Sequence, residues 1–334
     1  MNTKTANQIL KLYNLGISKS NPIKITGGLI HQMWQIESQK GKFAIKQINS
    51  EIATRPGVIQ NMNLCEASSY KFYNIGLPTI YAIELNSNFV TEVEGIFYLV
   101  YNWFEGKALT SNNDIDLSAI IKITTIFAKI HKANLQIGEK PNTIEVFPPY
   151  DDWLDIQKTL AQKDDDWVDK CLTFIDELKL WYSNTKIVNA NVNLQNNFVF
   201  SHRDLDKKNV LWNNSNEPCI VDWETAGYIN STKDLVQFAL DWSEKGNGEI
   251  DLSLFPEIFK TYKLYNKINF DLIEEAFYSI LGGMPDWLKF NIHRALSCPQ
   301  NSSEYENAII EIPKTIDKIT LRYKNIDKIL SSNL

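Results

Sequence analysis

Cysteine is scarce and never paired in this sequence. Cys65, Cys171, Cys219 and Cys298 are scattered through 334 residues without a Cys-x-x-Cys spacing, so neither a zinc ribbon nor a disulfide framework is expected. Reduced thiols, and with them an intracellular setting, fit this usage. No apolar run is long enough to span a bilayer. The opening MNTKTANQILKLYNLGI interrupts any apolar core with polar side chains, so no secretory leader is expected and the chain reads as cytoplasmic, without a membrane partner. Positive charge is also lacking. Residues 1–106 hold nine Lys and Arg against seven Glu and no Asp, for +2, whereas residues 107–334 hold 25 basic against 33 acidic, for −8. That balance is the reverse of what a nucleic-acid partner requires. There is no internal repeat and no low-complexity tract beyond a general richness in Asn, Ile and Lys. What is present in quantity is core material, 44% hydrophobic and 12% aromatic, enough for one large core or two moderate ones.

The most patterned stretch is FVFSHRDLDKKNVLWNNSNEPCIVDWETAG, residues 198–227. It reads as an apolar strand, a polar loop, a strand over 210–212, an Asn-rich turn with Pro218, and a strand over 219–221 that ends on Asp222. Asp204 and Asn209 fall on the first loop and Asp222 follows the last strand. Phosphoryl transfer needs such a set, because metal ions bridging nucleotide phosphates take hard oxygen ligands and the attacking hydroxyl needs a carboxylate to orient it and accept its proton. An ordinary hairpin would not require a His, two Asp and an Asn in this order.

His202-Arg203-Asp204 through Asn209, with Ile220-Val221-Asp222, resembles the catalytic and metal-binding segments of the aminoglycoside phosphotransferase and choline kinase-like family, which shares the two-lobed architecture of the protein kinases. The family usually has Gly between the His and the Asp, where this chain has Arg203, as protein kinases do. The resemblance implies an α+β fold, with a small antiparallel β-sheet N-lobe, a larger mostly helical C-lobe, and ATP between them. Residues 1–101 would be the nucleotide-binding lobe, 102–106 the hinge, and 107–334 the catalytic and acceptor-binding lobe. Within the latter, a helical insert occupies about 107–195, the catalytic core about 196–245 and C-terminal helices about 250–330.

The N-terminal part supports that division. An amphipathic helix carries Ile9, Leu10, Tyr13 and Ile17 on one side. A strand over 22–26 leads to Gly27-Gly28, which is either a phosphate-covering loop or an ordinary turn, and residues 31–36 form the return strand. The next strand, 43–48, places Ala44, Lys46 and Ile48 on one face. A cation on an otherwise apolar face needs an anionic partner. By resemblance, Lys46 would reach the nucleotide phosphates, Ala44 would leave room for the purine, and Glu66, on a helix over 58–74, would hold Lys46 in place. A hairpin turning at Glu94-Gly95 leads into 96–101 and then to the hinge, where backbone groups of Trp103 and Phe104 would meet the adenine edge.

The rest of the chain reads as helical. A helix starting at Asp114 or Asp116 ends on His131, which is read as a structural core residue. Further helices are expected over 150–162, 166–182, 252–265, 270–281, 287–296 and 303–326, with a loop at Gly282-Gly283-Met284-Pro285 and a kink or break at Pro313. Asp234 is either the counterpart of an Asp found in the family after the metal-binding segment or a helix cap.

The resemblance assigns Asp204 to the acceptor hydroxyl, Asn209 and Asp222 to Mg²⁺, Lys46 and Glu66 to the nucleotide, and His202 to support of the loop. The nucleotide is expected to be ATP, and nothing in the sequence rules against GTP. The acceptor would be a small-molecule hydroxyl compound. Acidic clusters at Asp151, Asp152 and Asp155, at residues 164–166 and at Glu244 are either solvated helix faces or the lining of an acceptor site that favours a cation, such as an aminoglycoside-like antibiotic or an amino alcohol. Antibiotic resistance would follow only from the first. A protein Ser/Thr kinase is the alternative, disfavoured by Asp222-Trp223-Glu224 in place of Asp-Phe-Gly and by the lack of a Gly-x-Gly-x-x-Gly loop and an Ala-Pro-Glu segment. A non-catalytic nucleotide-binding protein is disfavoured because base and metal positions are all intact. The identity of the acceptor and the oligomeric state are not legible.

Overall fold

The computed structural model describes residues 1–25, 30–109, 115–141, 150–245 and 248–332. Gly27, Gly28 and Asp114 lie outside them. The chain divides into two compact units: Met1–Thr110 with Ala133–Gly138 and Phe200–Gly227, and Ser111–Lys132 with Glu139–Val199 and Tyr228–Leu334.

The first unit is built on a five-stranded antiparallel sheet, in the order β1 (Ile23–Ile25), β2 (Gln32–Ser38), β3 (Gly41–Gln47), β5 (Ile96–Asn102) and β4 (Thr91–Val93). Alternation along β3 and β5 decides what each face of the sheet does. Phe43, Ile45, Tyr98 and Val100 join Ala6, Ile9 and Leu10 of helix α1 (Thr3–Leu12) in one apolar cluster. Ala44, Ile48, Leu99 and Tyr101 turn to the other face, into a cluster with Met62 of helix α3 (Val58–Asn74); the short helix α2 (Ser50–Ala53) precedes α3. Lys46 lies between Ala44 and Ile48 on that second face. The β4–β5 hairpin closes on Glu94 and Gly95 with φ of 52° and 78°, the left-handed pair that a two-residue hairpin turn requires.

A second antiparallel sheet orders β6 (Lys107–Ala108), β8 (Val210–Trp212) and β9 (Pro218–Ile220). The segment after α3 runs along β9, the Ile80 N–H donating to Ile220 O at 2.9 Å and the Ile220 N–H to Pro78 O at 2.8 Å. Strand β7 (Phe198–Ser201) leads into the loop that carries Asp204, and β10 (Gly227–Asn230) follows the turn that carries Asp222.

The second unit is helical: α4 (Leu117–Ala133), α5 (Asp151–Leu160), α6 (Asp166–Tyr182), α7 (Thr185–Val188), α8 (Ser231–Ser243), α9 (Phe255–Lys263), α10 (Ile273–Ser297), α11 (Ser303–Lys324) and α12 (Ile326–Leu330). Asp116 caps α4, its Oδ1 accepting the Ala119 N–H at 2.8 Å. Phe127 of α4 stacks on Phe238 of α8 with ring centroids 4.3 Å apart. His131, also on α4, is buried between the Tyr262 hydroxyl at 2.8 Å and Asp234 at 2.9 Å. Asn230 caps α8, so Asp234 serves as the partner of His131 rather than as a cap.

The loop expected at Gly282–Pro285 is absent, and α10 is one helix of 25 residues with Pro285 inside it. Leu281, Pro285, Leu288 and Ile292 are all buried, which carries one apolar stripe across the Gly-Gly pair and packs it on α8 and α11. An interior Pro costs a helix about 3 kcal/mol, comparable with what two such buried side chains return. Helix α11 likewise runs through Pro313. Among the described residues no helix is long and apolar enough to cross a membrane. The four cysteines are free thiols, and burial pushes Cys65, Cys171 and Cys219 up to about 12, so these three are chemically inert.

Candidate active site

Lys46, Glu66, His202, Asp204, Asn209 and Asp222 all belong to the first unit. The Lys46 side chain is only 8% exposed, and its ammonium donates to Asp222 Oδ1 at 2.7 Å and to Glu224 Oε2 at 2.6 Å. Burial works against the charge, but the two carboxylates outweigh it and raise the Lys46 pKa above its ordinary value. Burial likewise opposes the charge on Glu224, yet the hydrogen bond from His31 and the charge of Lys46 hold it well below the carboxylate range.

His31 completes the cluster from the start of the strand side. The Asn49 N–H donates to His31 Nδ1 at 3.1 Å, which makes that nitrogen the acceptor and puts the ring proton on Nε2, 3.2 Å from Glu224 Oε2. Glu66, expected to pair with Lys46, is engaged elsewhere. Its two oxygens accept from the Ala82 N–H at 2.8 Å and from the Tyr101 hydroxyl at 2.7 Å. Buried there, its carboxyl is pushed up to about 7.

The turn bearing Asp222 and Glu224 is fastened to α3. Trp223, 1% exposed, stacks on Phe72 at 5.0 Å, and its indole N–H donates to Thr79 Oγ1 at 2.6 Å. Cys65 Sγ donates to the carbonyls of Glu224 and Ala226. Asp222 has φ +64°, a left-handed conformation that Asp adopts more readily than most residues.

The loop bearing Asp204 is braced from the same side. His202 Nε2 donates to Val221 O at 3.0 Å, and its Nδ1 faces the Asp204 N–H at 3.4 Å, so the ring is a strut with both nitrogens in use. The Asn209 amide donates to Asp204 O at 2.7 Å and to Asp204 Oδ2 at 3.0 Å. Lys208 Nζ lies 3.2 Å from Asp204 Oδ2. Arg203 has φ +66°, a conformation that suits Gly, which is the residue usual at this point in the family the loop resembles. Its guanidinium lies over Gly227, where a Cβ would come within 2.9 Å of Nη1.

At the expected hinge, the Trp103 N–H is taken by Lys42 O at 3.1 Å. Ala44 is half-buried beside Lys46. Among the acidic clusters, Asp152 pairs with Lys289 at 2.9 Å and Asp155 with Lys158 at 2.9 Å, while Glu244 meets Lys318 at 2.7 Å and Arg322 at 2.8 Å. These acids are neutralised by partners within the second unit.

Sequence reasoning missed Glu224 and His31 as members of the site. The signal for Glu224 was its place two residues after Asp222, flanking a Trp; a lone His at a strand start gave none for His31.

The family model for choline/ethanolamine kinase matches residues 93–268, which are 176 of the 334. The chain belongs to the choline/ethanolamine kinase family. That match includes Asp204, Asn209, Asp222 and Glu224. Solved structures of similar fold include spectinomycin phosphotransferase in complex with ADP and spectinomycin (14% identity, TM-score 0.66, covering 95% of this chain and 98% of that one). Others are amicoumacin kinase in complex with AMP-PNP and Ca²⁺ (14%, 0.57, 94% and 93%) and choline kinase from Cryptosporidium parvum (14%, 0.54, 93% and 91%). No curated protein matches the chain in sequence. The α+β, protein kinase-like fold expected from the sequence is therefore the fold observed, and this choline/ethanolamine kinase family member is a small-molecule kinase.

Proposed function

We propose that the protein transfers the terminal phosphate of ATP to the hydroxyl of a small amine-bearing alcohol. The observation that carries this reading is the joining of Lys46 to Asp222 at 2.7 Å in a chain whose family match covers the Asp204 loop and the Asp222 turn. In the reaction, the acceptor oxygen forms a bond to the γ-phosphorus, the bond from that phosphorus to the β,γ-bridging oxygen breaks, and ADP leaves. Asp204 orients the hydroxyl and takes its proton. Lys46 shifts from Asp222 onto phosphate oxygens, and Glu224, steadied by His31, keeps it aimed. The backbone of Phe104 and the carbonyl of Trp103 meet the adenine edge, with Ala44 leaving room for the ring.

Asn209 and Asp222 are the residues that would hold Mg²⁺. Asn209 spends its amide N–H bonds on Asp204, which leaves its carbonyl oxygen to serve as the ligand, and an Asn with an Asp is the hard oxygen set that Mg²⁺ takes alongside phosphates and water. When bound, the ion neutralises charge on the β- and γ-phosphates. The amine preference rests on the family match, since Asp152, Asp155 and Glu244 of the acidic clusters are paired within the second unit.

The test is a coupled assay of ADP release with choline, ethanolamine, homoserine, methylthioribose, aminoglycosides and macrolides, followed by mass spectrometry of the product. Acceptor-dependent turnover with an amino alcohol or aminoglycoside is expected. Turnover only with an anionic acceptor would overturn the amine preference, and a chain that binds no nucleotide would overturn the kinase reading.

A further inference from the structure

We propose that Lys208 is a catalytic residue whose ammonium binds oxygens of the transferring phosphoryl group. This assignment rests on the phosphotransferase reading above. Lys208 belongs to the tight turn Lys207–Asn209, where its backbone N–H is capped by Asp206 Oδ1 at 2.9 Å. Its Nζ lies 3.2 Å from Asp204 Oδ2 and 3.3 Å from Asp206 Oδ2.

Two plainer roles account for this poorly. As a stabilising ion pair it is weak, because the Lys208 side chain is 58% exposed and that of Asp204 39%, and exposed pairs contribute little. As an aid to proton acceptance it has no use, since Asp204 gains nothing as a base from a cation on the same carboxylate. A third role fits both its position and its charge. An in-line transfer brings the γ-phosphorus to the hydroxyl that Asp204 orients, with negative charge spread over three peripheral oxygens. Those oxygens then lie within the swing of a side chain anchored on Asp204 and next to Asn209. Lys46 stands with Asp222 and Glu224 and serves the phosphates from that side, while Lys208 supplies the ammonium on the Asp204 side. As the acceptor oxygen bonds to phosphorus and ADP departs, the hydroxyl proton goes to Asp204 and Lys208 stays charged throughout, following the phosphoryl oxygens. Lysine suits this task as a mobile point charge.

The distinguishing measurement is calorimetric binding of Mg²⁺·AMP-PNP and Mg²⁺·ADP to the wild type, Lys208→Met and Lys208→Arg. AMP-PNP carries the terminal phosphoryl mimic and ADP lacks it. Lys208→Met should weaken AMP-PNP by about tenfold, the scale of a charge-assisted hydrogen bond, while leaving ADP within about twofold, and Lys208→Arg should restore most of the loss. A merely structural role would weaken both nucleotides alike, and that result overturns the assignment. So does a Lys208→Met protein that binds both as the wild type does. A wild type that binds neither nucleotide overturns the kinase reading and this assignment with it.

Discussion

Lys46 and Glu224 lie 178 positions apart in the chain and 2.6 Å apart in the fold, while Glu66, only 20 positions away and also buried, bonds to Tyr101 and to the backbone of Ala82 instead. The carboxylate that holds the lysine therefore comes from the turn that begins at Asp222 rather than from α3.

That division of labour separates two isosteric variants. Glu224→Gln removes the charge nearest Lys46 and should lower kcat/KM for ATP by about tenfold or more, the scale of one charge-assisted hydrogen bond. Glu66→Gln should leave the same constant within about threefold. Steady-state kinetics on both variants decides it, and an equal loss would return Glu66 to the role of lysine partner.

Glu66 should leave its mark on stability rather than on nucleotide kinetics. Its carboxyl is raised from 4.5 to about 7 by burial, so the folded chain binds a proton that the unfolded chain releases at lower pH. The stability this gives is complete below about pH 4.5 and is lost as pH rises through 7, a decline of about 3 kcal/mol at most. Urea unfolding at pH 5 and pH 8 should show the wild type losing more stability between the two than Glu66→Gln does. Parallel curves would mean the carboxyl titrates normally.

Asp204→Asn tests the base. Mg²⁺·ATP binding should stay within a few fold, and turnover with any verified acceptor should fall by about a hundred- to ten-thousand-fold, as expected for loss of a positioned acid or base. Unchanged turnover would remove Asp204 from the mechanism.

Gly283 offers a stabilising substitution. It lies inside α10, and a Cβ built there meets nothing within 4 Å. Gly283→Ala should therefore raise the unfolding free energy by about 0.5–1 kcal/mol through backbone entropy alone. A lower melting temperature would show that the helix is locally open at the Gly-Gly pair.

Much of this architecture was legible because its signals are local. The runs 58–74 and 166–182 coincide with α3 and α6, since apolar periodicity and flanking turn residues define both ends. Lys46 stood out as a cation on an apolar face. Its partner did not, because the choice between Glu66 and Glu224 depends on how α3 is rotated against β5, which no local pattern encodes. The break expected at Gly282–Pro285 failed for the opposite reason: the local breakers are genuine, but the buried stripe from Leu281 to Ile292 outweighs them. Arg203 looked like a departure toward the protein kinases. Its left-handed backbone shows that the loop keeps the shape a glycine would allow, at a strain of about 1–2 kcal/mol.

The packing of Trp223 bears on readiness as well as on geometry. Swinging the Asp222–Glu224 turn outward would strip the indole from Phe72 and leave its N–H without Thr79. Exposing so large an aromatic side chain costs about 3 kcal/mol, which leaves about one molecule in a hundred in such a state at equilibrium. The two carboxylates that meet Lys46 are therefore expected to stand in place in nearly every molecule before any substrate arrives.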